Sequence, residues 1–457
     1  MKSQTLRPPR AGSLAIVAMT LFMVSPQTIA RTWYVGGSGA DFSQIQPAID
    51  AASDGDLIIV RPGMYDPFTL AKGVMMRASD SLFSVDPNVG PVHVRDLANM
   101  AQAGISGMSM DIIGIGGAPE CLVVSNCEGE VILENTQLVD HSYFSSGAQL
   151  KITDCDNVSV TELTAVNQAI LWDEQGARGV VQIERSFARM SQIVAQGGKG
   201  SCCGGYGYDG LPGQSAIAAF DSSLVLAHAH LTGGGGGDGS GWYRTGGSGG
   251  EGGHALEASN SRIDIVGFPG YGLILQGARG GTAWWDYSCY CYLGRGGDGG
   301  DGFHGDSADV SLVSLAGGAG GDGDPPGGSG QPADGTTRQF DTFPMMTLSG
   351  DLRPGATFEI DIDTPIAGTV ILLVANHGGS LYLPGNEGPP VGVLPFPGGR
   401  FIAVGIGHLN GGAHLGLSLG LPSDPMIAGI PLQSQIALIA DAGSVWLSNA
   451  AARIIGE

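Results

Sequence analysis

Six stretches of the chain carry one short pattern: "NCEGEVIL" from Asn126, "DCDNVSV" from Asp154, "RSFARMSQI" from Arg185, "DSSLVLA" from Asp221, "NSRIDIV" from Asn260 and "DSADVSLV" from Asp306. Each has a small residue (Cys127, Cys155, Ser186, Ser222, Ser261, Ser307), usually preceded by Asn or Asp. An alternating strand follows, for example Ile263 and Ile265 against Arg262 and Asp264. The small positions lie 28, 31, 36, 39 and 46 residues apart. A unit this short cannot bury its own apolar face, so repetition at this period predicts coils stacked into a solenoid. One face of each strand then fills a shared core and the other meets solvent. Stacking puts the Asn and Asp residues above one another at a bend, where their side chains can bond neighbouring backbone groups. It also puts Cys127 beside Cys155 on adjacent coils, as packed buried thiols rather than a bridge. The competing arrangement, a β-sandwich of unrelated strands, needs no such register.

Glycine-rich insertions fill the widening gaps: 197–214, 233–253, 277–302 and 317–335, in a chain with 79 glycines. They follow the strands of each repeat, so they are expected to project from one face, where solenoid insertions often bind something. "GGYGYDGLP" (204–212) and "GGDGGDGFH" (296–304) fit the calcium-binding nonapeptide G-G-x-G-x-D-x-U-x. In repeat-in-toxin proteins such units run in tandem, whereas here they are 92 residues apart. Calcium is therefore expected only where stacking brings Asp209, Asp298 and Asp301 together as hard oxygen ligands. Tyr206, Tyr208, Trp242, Tyr243, Trp284, Trp285 and Tyr287 lie in or beside the same insertions. Exposed, they would offer stacking faces to sugar rings; folded back, they would anchor loops that otherwise bury nothing.

At the N-terminus, Lys2, Arg7 and Arg10, the apolar run 11–24 and "TIA" (28–30) have the layout of a secretory signal peptide over residues 1–30. The run is too short to span a bilayer, and no later stretch suits a transmembrane helix. The mature chain is expected to be secreted, extracellular or on the cell surface. In "FSQIQPAIDAASDG", Ile45, Ala48, Ile49 and Ala52 mark one apolar helical face. Ser43 is expected to cap this helix with Gln46 as its capping-box partner, Pro47 to sit in the first turn, and Gly55 to close it. The helix, the "DGDLIIVRPGMY" turn and the strand after it resemble the entry segment of pectin-lyase-like right-handed parallel β-helices, where a short helix plugs the open end. That resemblance implies an all-β chain: a right-handed parallel β-helix with an N-terminal capping helix over 31–340. A change of composition near Phe340 then opens 341–457, whose short strands between Gly, Pro and Asn turns predict a smaller C-terminal β-sandwich-like domain. The ending, "GIPLQSQIALIADAGSVWLSNAAARIIGE", is similar to the C-terminal module of exported glycine-rich β-helix proteins of no firmly assigned activity.

A formal charge of −22 argues against nucleic acid and anionic membranes as partners. Of the seven cysteines, Cys202, Cys203, Cys289 and Cys291 lie in glycine-rich insertions, placed for loop-to-loop disulfides. Enzymes on the scaffold resemble one another in using clustered acidic residues with a Lys or Arg base, and a glycosidic bond needs two carboxylates about 5–10 Å apart. The sequence has no Asp-Asp pair; Asp173-Glu174 and Asp140-His141 are the nearest substitutes, and both read as turn residues. His228 and His230, two apart on a strand, lack an evident third metal ligand. The expectation is an exported structural or surface-adhesive protein, non-catalytic, meeting polysaccharide or other cell-surface components, with calcium as the one cofactor in view. The alternative is a polysaccharide lyase or glycoside hydrolase.

Overall fold

The computed structural model describes residues 31–455 except segments 88–89, 113–119, 172–178, 202–207, 243–244, 267–272, 287–290, 340–343, 376–377, 382–390, 394–400 and 425–426 and single positions 80, 100, 143, 146, 293, 312, 351, 365, 443 and 449. The leader read at 1–30, Tyr206, Tyr243, Tyr287, Asp173 and Glu174 lie outside the described residues.

Up to Gln339 the chain repeatedly returns to pair, in parallel, with its own previous pass. The pairings fall into three columns. Column A contains Val92–Arg95, 122–125, 150–153, Gly179–Glu184, Ser215–Phe220 and Leu256–Ser259. Column B runs from Thr32–Val35 through Leu57–Val60, Met75–Ala78 and Gln102–Ser106, then 130–134, 157–161, 188–191, 223–227, Arg262–Val266 and 308–311. Column C holds, among others, Met108–Ile112, 137–140, 163–166, 193–196, Leu273–Gln276 and Val313–Ala316. Inward positions such as Val158, Val160, Leu224, Leu226, Ile263 and Ile265 form one buried core with those of the other columns. The expected stacking of the repeats is present, and Cys127 and Cys155 pair in register as free, buried thiols.

The corner from A to B explains the Asn and Asp positions differently from the sequence reading. Asp96, Asn126, Asp154, Arg185, Asp221 and Asn260 all have positive φ, between 44° and 56°. Asn and Asp tolerate this left-handed conformation better than other side-chain-bearing residues, so the corner selects them for backbone conformation. Their side chains largely meet one another: Arg185 clasps Asp154 at 2.6 and 2.9 Å, and Asn260 Nδ2 donates to Asp221 Oδ1 at 2.5 Å. Bonding to backbone falls mainly to the small residue that follows. Ser186, Ser222 and Ser261 Oγ accept the N–H of Cys155, Ser186 and Ser222 at 3.0, 3.1 and 3.1 Å. Each hydroxyl also donates to the carbonyl two residues earlier.

The predicted helix spans Ile45–Ala51 and buries Ile45, Ala48 and Ile49. Its cap is corrected: Gln44 is the N-cap and makes no side-chain cap bond. Gln46 instead accepts the Thr69 N–H at 2.7 Å, and Lys72 Nζ donates to the terminal carbonyls of Ile49, Asp50 and Ala52.

The glycine insertions are ordered in a way that neither strand nor helix describes. Gly250 and Gly253 donate to Gly237 and Gly234 at 2.8 and 2.7 Å; Gly297 and Gly300 donate to Gly281 and Ala278 at 2.9 and 2.8 Å. Between coils, Gly233, Gly236 and Gly239 donate to Gln276, Arg279 and Thr282. Donors and acceptors both step by three residues, the period of the polyproline II helix, which has no internal hydrogen bonds and must pair laterally. Each insertion runs out and back, pairing antiparallel with itself and parallel with the next coil. Most positions at two of every three steps are glycines that face a neighbouring backbone closely: a Cβ on Gly281 would stand 1.8 Å from Gly237 O, and one on Gly297 1.9 Å from Gly250 O. The third position points outward and carries Asp238, Arg279, Asp298 or Asp322.

After Gln339 pairing becomes antiparallel. Met345–Gly350, Thr357–Thr364 and Ala413–Gly420 form one sheet; Phe401–Leu409, Gly368–Ala375, Pro431–Ala440, Val445–Leu447 and Ala451–Ile454 form another. Their inner residues, including Leu348, Ile360, Leu372 and Ile436, share a second core. The second sheet covers part of the outer face of column B. Ile454 packs on Ile132 and Met75, Gln433 Nε2 donates to Glu130 at 2.5 Å, and Arg453 pairs with Glu134 and Glu162.

Candidate active site

Part of the outer face of column B is polar and buried. Arg189 is 5% exposed and donates to Asn157 and Ser159, both at 2.7 Å, and to Glu130 at 3.3 Å. Desolvation pulls the Arg189 pKa down, opposed by Glu130. This cluster is covered by the C-terminal sheet and ties the two cores together.

Two coils further on, the same face carries Asp264 and, directly opposite in register on the next coil, Asp309. Neighbouring strands lie about 4.8 Å apart, so the two aspartates leave the same face from backbone positions about that far from each other. Their surroundings differ. Asp264 is 2% exposed, Oδ1 has no hydrogen-bond partner among the described residues, and Oδ2 receives only Arg262 Nε at 3.3 Å. Burial therefore pushes its pKa up to about 6, against the pull of Arg262 and with a further push from Asp309. Asp309 is clasped by Arg338 through two bonds of 3.0 and 2.9 Å. Such a pair, one carboxyl held toward its acid form and its neighbour paired with a cation, has the division of labour of acid/base chemistry. It corrects the expectation that Asp264, alternating with Ile263 and Ile265, meets solvent.

The acidic pairs singled out in the sequence fare differently. Asp140 ends the strand Leu122–Asp140, is fully buried and accepts the Ser142 N–H at 2.8 Å, which corrects the expectation of a solvated turn residue. His228 occupies a corner with φ 50° and lines a water-sized cavity of about 20 Å³ with Met346, Thr347, Leu348 and Arg453, so it does not share a strand face with His230.

The loop aspartates bind backbone. Asp209 Oδ1 accepts Ser248 N–H, Asp298 Oδ1 accepts Gly328 N–H and Asp301 Oδ1 accepts Gln331 N–H, each at 2.6 Å. Asp301 alone of the three joins a possible cation-binding group, with His254 and His304. Among the aromatics, Tyr208 is 56% exposed, and Trp284 and Trp285 are half-buried. Trp285 meets Tyr292 edge-on at 4.7 Å across a short hairpin in which Cys291 is disulfide-bonded.

The pairing of Asp264 with Asp309 was hidden by register. Alignment of the repeats on Ser261 and Ser307 sets Asp264 opposite Val310, whereas the offset between the two coils changes from 47 residues at Leu256–Ala258 to 45 at Ile263–Val266. The sign that could have revealed it is the polar residue between the apolar Ile263 and Ile265, matched by Asp309 between Ala308 and Val310.

No family model matches the chain, and no curated protein matches it. Among solved structures it is similar to the bacteriophage CBA120 tailspike protein 2 enzymatically active domain, at 10% identity and a TM-score of 0.25 over 93% of this chain and 71% of that one. The expectation of a non-catalytic protein finds no support in this comparison: the matched domain is described as enzymatically active, on the side of the alternative. A TM-score of 0.25 is too low to transfer residues or substrate, so the chemistry rests on this chain's own carboxylates. No helix among the described residues is long and apolar enough to cross a membrane.

Proposed function

We propose that the protein is an exported polysaccharide-active enzyme whose reaction is carried by Asp264 and Asp309. In this reading the three columns are the faces of a right-handed parallel β-helix, followed by a C-terminal β-sandwich-like domain from residue 341. The observation that supports it is the in-register carboxyl pair with opposed environments. Two carboxyl groups on neighbouring strands, about 4.8 Å apart at the backbone, suit a glycoside hydrolase with retention, where one carboxyl protonates the leaving oxygen and the other attacks the sugar. Asp264, raised toward neutral pH, is the acid; Asp309, oriented by Arg338, is the nucleophile. Burial that raises Asp264 also shields it, so a sugar oxygen reaches Oδ2 by displacing the Arg262 guanidinium. The glycine-array aromatics Tyr208, Trp284 and Trp285, with Tyr206, Trp242, Tyr243 and Tyr287 from the sequence, are the proposed stacking surface for the chain of sugars. Calcium at Asp209, Asp298 and Asp301 belongs to the same proposal, and a chelator-insensitive melting curve would remove it.

The test is a polysaccharide panel assayed for new reducing ends and unsaturated products. Asp264→Asn and Asp309→Asn should each lower turnover by about a hundredfold or more with folding intact. Activity that survives both substitutions, or a panel with no product at all, sinks the reading.

A further inference from the structure

The first strand of column B begins where the predicted leader ends. Thr32 pairs in register with Leu57, which sets Arg31 beside Asp56, the residue ahead of the next strand. Asp56 is 7% exposed. Its Oδ1 accepts the Arg31 backbone N–H at 2.8 Å, and its Oδ2 accepts the Ser53 N–H at 2.9 Å and the Trp33 indole N–H at 3.1 Å. Burial pushes the Asp56 pKa up, but these bonds outweigh it and leave the pKa below its ordinary value, so the group is a carboxylate. All three donors are uncharged in the uncleaved chain. The Arg31 guanidinium lies over the Trp33 ring, 3.4 Å from its centroid.

We propose that proteolytic removal of the leader between Ala30 and Arg31 completes this site, turning the Arg31 nitrogen into an α-ammonium that pairs with the buried Asp56 carboxylate, an inference that rests on the proposed export of the chain. Hydrolysis by a leader-cleaving protease adds one water. Ala30 leaves as a carboxylic acid, and its proton passes to the freed Arg31 amine. An α-amino group ordinarily titrates at about pH 8, and a carboxylate 2.8 Å away raises that value, so the amine is charged at neutral pH. Arg31 is exposed, which leaves the bond ahead of it open to a protease, while its acceptor is already buried and oriented. Ser53 follows the helix Ile45–Ala51, Arg31 precedes the strand Thr32–Val35 and Asp56 precedes Leu57–Val60. The ion pair therefore ties the helix exit to the first two strands. Before cleavage a neutral amide N–H stands in the same place, and its bond to the carboxylate is weaker than that of an ammonium.

The experiment needs no substrate, so it can fail without touching the Asp264–Asp309 chemistry. The full chain is expressed with its leader, and the exported protein is sequenced from its N-terminus. Arg31 is expected first. Another first residue on an exported chain overturns the ion pair and leaves export standing; a chain that is not exported overturns both. The mature form is then compared with one that keeps residues 28–30 ahead of Arg31. The extended form should melt lower, and Asp56→Asn should lower the Tm of the mature form and erase the difference between the two. Equal melting of the two forms, or a difference that survives Asp56→Asn, overturns the proposal. Amine reactivity reads the same contact without the variant. At pH 7 the Arg31 amine should be acylated about tenfold more slowly than the α-amino group of the extended form, and equal rates overturn the proposal.

Discussion

In the strand columns every second side chain enters a core; in the glycine array every third points outward and none enters one. Leu226 of column B is fully buried between Met190 and Ile265 of the neighbouring coils, so its stability comes from apolar area removed from water. Gly281 removes no apolar side chain from water. It donates to Gly250 at 2.7 Å and lies close against Gly237, so the array is held by lateral backbone bonds and by the absence of Cβ atoms. Both regions climb the same coils, which is why bonds in the array step from one coil to the next beside those of the columns. A solenoid can therefore be extended sideways without a second hydrophobic core, provided that most residues at two of every three steps are glycine.

Substitutions that damage one region and spare the other test this contrast. The largest effect is expected from Leu226→Ala, a cavity in the column core worth about 2–5 kcal/mol and seen as a lower midpoint of the whole denaturation curve. Gly281→Ala should cost about 3 kcal/mol by overpacking, but locally. Hydrogen exchange should accelerate at 233–253 and 277–302 while column amides stay protected; equal loss in the columns would show that the two regions fold as one unit.

Asp264 gives a pH test. Its pKa is raised in the folded protein, so its contribution is fully favourable below its ordinary value of 3.8 and is lost as pH rises through about 6. Stability should fall across that window, and Asp264→Asn should flatten the fall, gaining roughly 2–3 kcal/mol near pH 8 if the packing is kept. A wild-type curve that is flat between those pH values would contradict the buried acid. A smaller effect, about 1–2 kcal/mol, is expected for Ser222→Ala, which leaves the buried Ser186 N–H without its acceptor. Smallest is Asp238→Asn, which removes an exposed ion pair with Lys199 but can keep its bond to the Thr282 N–H; a change within about 0.5 kcal/mol is expected by chemical denaturation.

Much of the column structure was legible because period-two alternation and small residues at coil spacing are both local signals. Ile263 and Ile265 announce a strand, and Ser186, Ser222 and Ser261 announce a stack. The glycine array was visible as composition but was read as projecting loops, since a threefold helix without side-chain contacts leaves no hydrophobic pattern. Asp301 was singled out for a metal through the nonapeptide, yet its partners His254 and His304 were not. His254 lies 47 positions earlier and joins it only through stacking.

The sequence by itself determined that the chain stacks and where its coils turn, because alternation and small residues at coil spacing are written residue by residue. Tertiary structure decided which coil positions face one another. The offset between the two coils changes from 47 residues at Leu256–Ala258 to 45 at Ile263–Val266, which sets Asp264 against Asp309 and not Val310. No local pattern fixes that choice, since a shift of one residue exchanges the inner and outer faces of a strand. Long-range stacking also supplied the burial that makes Asp264 an acid near neutral pH, a property of its surroundings and not of the residue.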